Sequence, residues 1–225
     1  MIEQLAYLVD ELCAGVEIYY SGRIGGQYLK AAFILCDDYT ELTSKLFLLC
    51  DDRTWSDRAG GVFKNYHAVK VDLEAVFAAK RPEKLETVRA VHERMGSRRE
   101  RRNRFFHSAD LLDLNVTQRM CLESFCDLFD YGLTLFGDEW AKAVGGARNL
   151  ETYELLLRLE RAALRDPAVS NQLMKVLQDW PRNSSSGRRA GIQVATHPED
   201  LHLRLAVING GSALRDRLRA LLTPA

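Results

Sequence analysis

Apolar side chains recur every three to four residues through most of the first 180 positions, the spacing of helices that bury one face. Ile2, Leu5, Leu8, Val9, Leu12 and Val16 make a first stripe. A second follows Gly25 and Gly26, through Leu29, Ala32, Phe33, Cys36, Tyr39, Leu42 and Leu46. Asp51 to Gly61 is polar, ends in paired glycines and reads as a loop. Val62, Tyr66, Val69, Leu73, Val76 and Phe77 form a third stripe. Pro82 opens a fourth, at the helix position where a missing N–H costs least, with Leu85, Val88, Val91 and Met95 behind it. After Met95 the apolar pattern stops. It resumes near Asn115, which with Gln118 fits a capping box, and runs through Met120, Cys121, Phe125, Leu128, Phe129, Leu133 and Phe136. Gly145-Gly146 marks a break, and two shorter helices follow over 150–165 and 167–180.

The period changes after Pro181. PRNSSSGRR has linker chemistry, and beyond it Ile192, Val194 and Thr196, then Leu201, Leu203, Leu205 and Val207, alternate as strands would. His197 to Asp200 fits the turn between them, and Ala213 to Leu222 reads as a terminal helix. The expected fold is mainly α. An antiparallel helical bundle spans 1–145, additional helices packed on that bundle span 146–180, and 181–225 holds a linker, a small β-hairpin and the last helix.

Charge narrows the function classes. The 225 residues carry 31 basic and 31 acidic side chains, so binding to nucleic acid or membrane through bulk positive charge is excluded. Any contact with a polyanion must come from a local patch. No apolar run approaches the roughly 18 residues of a membrane helix, and acids interrupt the N-terminal stripe, so neither a span nor a signal peptide is expected. Cys13, Cys36, Cys50, Cys121 and Cys126 are odd in number and lack a CxxC pair. They read as reduced thiols of a cytoplasmic protein, not as a disulfide framework or zinc site.

The densest chemistry lies between Arg94 and His107. Arg94, Arg98, Arg99, Arg101, Arg102 and Arg104 crowd one helix end, tempered by Glu93 and Glu100. Arg94, Arg98 and Arg101 or Arg102 recur at helical spacing and would form a basic ridge. Phe105 and Phe106 anchor the turn before His107. Asn103 and His107 are four apart and share a face, while Arg102 lies about 140° round the helix from His107, close enough for its long side chain to flank the imidazole. A cation, an amide and a group titrating near neutrality then converge, which are parts suited to phosphodiester transfer without metal. His107 is the one histidine with arginine five positions earlier; Val62, Thr87, Ile192 and His197 precede the other four.

The string Arg102-Asn103-Arg104-Phe105-Phe106-His107 resembles the R-x4-6-H motif of HEPN (higher eukaryotes and prokaryotes nucleotide-binding) domains, in the ribonuclease form where a polar residue follows the arginine. The resemblance covers roughly 1–140 and implies a helical bundle with the motif at the end of a long helix. It also implies metal-independent RNA cleavage by a dimer whose motifs face each other, with no cofactor. Arg102 and His107 map onto the catalytic pair and Asn103 onto the supporting polar position. Arg98, Arg99, Arg101 and Arg104 become candidate contacts to the RNA backbone. A toxin or phage-defence effector with an antitoxin or defence-complex partner fits that family. Some toxin members carry a modifiable tyrosine two residues after the histidine; Ala109 stands there instead.

Leu111, Leu112 and Leu114, just beyond the motif, suit a buried dimer seam. The competing expectation is a non-catalytic helical interaction module, and a third is an RNA- or nucleotide-binding regulator using the ridge without cleavage. Elsewhere, His67 and His92 read as surface or packed histidines, and His197 and His202 lack metal-ligand spacing. Asp37-Asp38 and Asp51-Asp52 read as helix ends or loops, because neighbours on a helix point apart. Gly22 to Gly26 follows a helix and is not a phosphate loop.

Overall fold

The computed structural model describes residues 2–25, 28–107, 114–147, 150–179 and 211–222; of these, the side chains of 2, 21–25, 104–107, 114–116, 177–179 and 211 stand outside the description. Two compact units divide at Arg148 and Asn149, close to the boundary expected at 145. The first contains α1 (Ile2–Gly25), α2 (Leu29–Asp51), β1 (Arg58–Ala59), β2 (Val62–Phe63), α3 (Tyr66–Lys80), α4 (Pro82–His107), α5 (Leu114–Phe136) and α6 (Asp138–Gly146). The second contains α7 (Leu150–Arg165), α8 (Pro167–Asp179) and α9 (Gly211–Ala220). The mainly helical fold is the one the periodicity dictates.

Helix α2 is the hub of the first unit, packing against α1, α3, α4 and α5. Its stripe of Leu29, Ala32, Phe33, Cys36, Tyr39, Phe47 and Leu48 is buried, and Tyr19 of α1 meets Phe125 of α5 with ring centroids 5.9 Å apart. Leu42, expected on that stripe, is exposed, as is Leu133 on α5. So many neighbours also bury polar positions of α2. Thr40, Thr43 and Ser44 solve this locally, each hydroxyl donating to the carbonyl four residues back at 2.9, 2.6 and 2.9 Å. The thiols of Cys36, Cys121 and Cys126 are buried and unbridged.

Residues 51–61 are not simply a loop. Arg58 pairs with Phe63 and Ala59 with Val62 in an antiparallel ladder. Gly60 and Gly61 make the two-residue turn, both at positive φ (57° and 84°), the backbone that matches the twist of a tight hairpin. Val62, expected in a helical stripe, therefore stands exposed in β2. Asn65 starts α3 instead, its side chain accepting from the Ala68 N–H at 3.0 Å. Gly137, at φ 58°, separates α6 from α5, a break the apolar pattern did not show.

In the second unit, α7 buries Leu150, Tyr153, Leu156, Leu157 and Leu159. Helix α9 packs on α7 and α8 through buried Leu214 and Leu218, and Arg219 pairs with Glu151. The terminal helix was expected here; the linker and β-hairpin expected over 181–210 lie outside the described residues. Among the described residues no helix is long and apolar enough to cross a membrane.

Candidate functional site

Helix α4 changes character along its length. Val88, Val91, His92 and Met95 are buried and fix its first half against the bundle. Beyond Met95 the side chains that reach the bundle are arginines, and each of those must find a carboxylate. The expected ridge of Arg94, Arg98 and Arg101 stands on one face, and Arg99 and Arg102 make a second.

One face turns to α2. Arg102 Nη1 donates to Asp37 Oδ2 at 2.5 Å and to Asp38 Oδ1 at 3.2 Å, while Nη2 lies 3.4 Å from Asn103 Oδ1. Arg99 donates to Glu41 Oε2 at 2.9 Å, stands 3.5 Å from Asp37 Oδ2, and lays its guanidinium 4.6 Å from the Tyr66 ring centroid. Asp37 and Glu41, four apart on α2, thus engage Arg99 and Arg102, three apart on α4. Burial pushes the Asp37 carboxyl above its usual range, and Arg99 and Arg102 pull it back down.

The other face turns to α5. Asp127, buried, accepts from Arg94 Nε at 3.0 Å and Nη2 at 3.2 Å, and pairs with Arg98 Nη1 at 2.7 Å. Arg101 is exposed, its Nη1 3.6 Å from Met120 Sδ. An open groove of about 580 Å³ runs between α4 and α5 here, lined by Arg94, Arg98, Arg101, Arg119 and Met120 with Glu93 and Glu123.

Of the candidate catalytic residues, Arg102 and Asn103 are neighbours on the last turns of α4, and position 107 is its final residue. The side chains of Arg104, Phe105, Phe106, His107 and Leu114 lie outside the described residues, as do Leu111 and Leu112 entirely. Of the candidate RNA contacts, Arg98 and Arg99 already hold carboxylates, while Arg101 faces the groove.

Asp37 corrects the reading of Asp37-Asp38 as a helix end or loop: both stand in mid α2, and the long Arg102 side chain spans their divergent directions. Asp51 and Asp52 do end α2 as expected. The sequence offered a signal for Asp37 in Glu41 one turn on, two acids that share a face of α2.

His92 is packed, and it anchors a buried polar chain. Nδ1 lies 2.9 Å from Glu74 Oε1 and Nε2 lies 2.8 Å from the Tyr131 hydroxyl, which is 2.8 Å from Ser44 Oγ. A carboxylate only accepts, so Nδ1 carries the imidazole proton and Tyr131 donates to Nε2. Ser44 has one hydroxyl proton and shares it between the Tyr131 oxygen and the Thr40 carbonyl. Burial pushes the imidazole below its ordinary range, opposed by Glu74. This chain braces α2, α3, α4 and α5 together.

Searches against protein-family models, curated proteins and solved structures return no match to this chain.

Proposed function

We propose that the chain is a metal-independent endoribonuclease of HEPN type, acting in the cytoplasm as a homodimer, in a toxin or phage-defence role. The observation that supports this reading most is the setting of Arg102. It is a guanidinium held near the end of a long helix by Asp37 and Asp38, with the Asn103 amide beside it and position 107 closing the same helix. A cation fixed in this way is ready for transition-state charge without reorganising, which is where electrostatic catalysis gains most.

In the proposed reaction, His107 takes the proton of the ribose 2′-hydroxyl as that oxygen attacks phosphorus. The P–O5′ bond breaks, and the leaving oxygen collects a proton from the second motif of the dimer. Arg102 stabilises the pentacovalent phosphate and Asn103 orients the attacking or leaving group. The products carry a 2′,3′-cyclic phosphate and a 5′-hydroxyl. Arg101 and Arg104 serve as backbone contacts, joined by whatever donors Arg98 and Arg99 have to spare beyond their carboxylates.

One observation favours a second reading, the non-catalytic interaction module. The pairs from Arg99 and Arg102 to Asp37, Asp38 and Glu41 would equally serve only to tie α4 to α2. Arg102→Lys separates the two. A lysine keeps the charge for Asp37 and the fold, but loses the planar fork. Under the nuclease reading this variant melts within about 1 kcal/mol of the wild type and loses turnover by about 10²-fold or more. Unchanged cleavage in Arg102→Lys would defeat the assignment.

A further inference from the structure

We infer that the groove between α4 and α5 is a phosphate-recognition site for a ligand carrying two or more neighbouring phosphate groups. The case begins with Asp127. This single buried carboxylate takes Nε and Nη2 of Arg94 at 3.0 and 3.2 Å and Nη1 of Arg98 at 2.7 Å, so it locks two guanidiniums that line the groove. Each arginine has five N–H donors, and holding Asp127 leaves several on both. Exposed Arg101 and Arg119 line the same groove.

Charge differs between the two faces of α4. Toward α2, Arg99 and Arg102, with Lys45 on Glu41, face three acids, Asp37, Asp38 and Glu41, so charges there are equal in number. Toward α5, four guanidiniums line the groove against the carboxylates of Glu93 and Glu123, with Asp127 behind them. On its lining alone the groove carries two more guanidiniums than carboxylates, and Asp127 and Asp130 act on Arg94 from behind it. Arg94, Arg98 and Arg101 follow one another along about 10 Å of helix, a length suited to successive phosphates and not to one small anion. Guanidinium forks match phosphate oxygens two at a time, and the Met120 thioether adds a polarisable wall for a base or sugar. A cleft of about 580 Å³ is also within the range of small-ligand sites.

This site does not rest on cleavage. Ideal helix geometry sets position 107 about 120° to 180° round α4 from Arg94, Arg98 and Arg101, on another face. A ligand confined to the groove reaches position 107 only through the helix they share, and Arg98 and Arg101 are the groove residues that the nuclease reading also uses, as backbone contacts.

The test uses the full chain in calorimetric titrations with sodium tripolyphosphate and, separately, with a short DNA oligonucleotide lacking terminal phosphates, which has no 2′-hydroxyl to be cleaved. The expected result is saturable binding of at least one probe, weakened about tenfold or more in Arg101→Ala/Arg119→Ala. Tripolyphosphate alone identifies contiguous phosphates as the ligand, the oligonucleotide alone identifies a nucleic-acid backbone, and competition between them identifies one shared site. Lys80→Ala/Lys142→Ala removes equal charge elsewhere and should bind as the wild type does. The proposal is overturned by binding of neither probe, by a double arginine variant that binds normally, by equal loss in the lysine control, or by citrate binding as tightly as tripolyphosphate. His107→Ala should bind tripolyphosphate as the wild type does. RNA left uncut by the wild type would count against the nuclease reading and leave this result standing.

Discussion

At the scale of single residues, two buried carboxylates organise the arginines of α4, Asp37 from α2 and Asp127 from α5. The arginines were legible because six of them crowd eleven positions, but their partners were not. Helical spacing put Arg94, Arg98 and Arg101 on one ridge, as found, but cannot say which neighbouring helix faces it, nor that Arg99 and Arg102 turn to another. His92 shows the same limit. Its four-membered chain with Glu74, Tyr131 and Ser44 draws on four helices, and no local spacing links them. It does make a pH prediction. Burial lowers the imidazole pKa in the fold, so the unfolded chain takes up a proton at higher pH than the folded one. Stability is complete above the ordinary histidine range and declines as pH falls through it toward the lowered value. Lys70, which also disfavours the charged ring, and the opposing Glu74 are the charged groups facing it from α3. Chemical denaturation at stepped pH from about 8 to 5 should show the wild type losing stability while His92→Gln, less stable at neutral pH, changes less. Parallel curves would mean His92 is not the titrating group.

At the scale of elements, the helices were legible wherever an apolar stripe ran unbroken, as in α1, α2, α5 and α7. Breaks set by backbone conformation were not. Gly60-Gly61 turned an apparent loop into a hairpin, and Gly137 cut α6 away from α5. The second break is stabilised by packing. The Trp140 ring of α6 stacks on Phe136 at 6.4 Å and lies over Gly132, where an added Cβ would fall 2.3 Å from Trp140 Cε2. Gly132→Ala should therefore displace the indole and cost about 1 to 3 kcal/mol, as overpacking a filled core does. Thermal unfolding followed by tryptophan fluorescence measures it, and an unchanged midpoint would show that the ring yields without loss. Gly96 has nothing within 4 Å of an added Cβ, so Gly96→Ala serves as the control.

At the scale of the whole molecule, the helices over 150–165 and after 167 and the helix near the end were legible from their apolar stripes. The units divide at Arg148 and Asn149 because Leu150 begins a new buried stripe that α8 and α9 complete. The nuclease reading adds a requirement at this scale, since one His107 per chain supplies one proton-transfer group and cleavage uses two. A two-fold dimer brings the same patch together twice. Light scattering across a dilution series should give twice the 25.5 kDa chain mass, and a monomer at the concentration where RNA is cleaved would break the composite-site argument. The most direct measurement is cleavage itself. Purified full-length protein is incubated with total RNA in excess chelator beside His107→Ala, and the new ends are mapped. The account predicts 2′,3′-cyclic phosphate and 5′-hydroxyl ends from the wild type, with at least about 10²-fold fewer from a folded His107→Ala. Intact RNA from the wild type, or equal cleavage by both proteins, would contradict it.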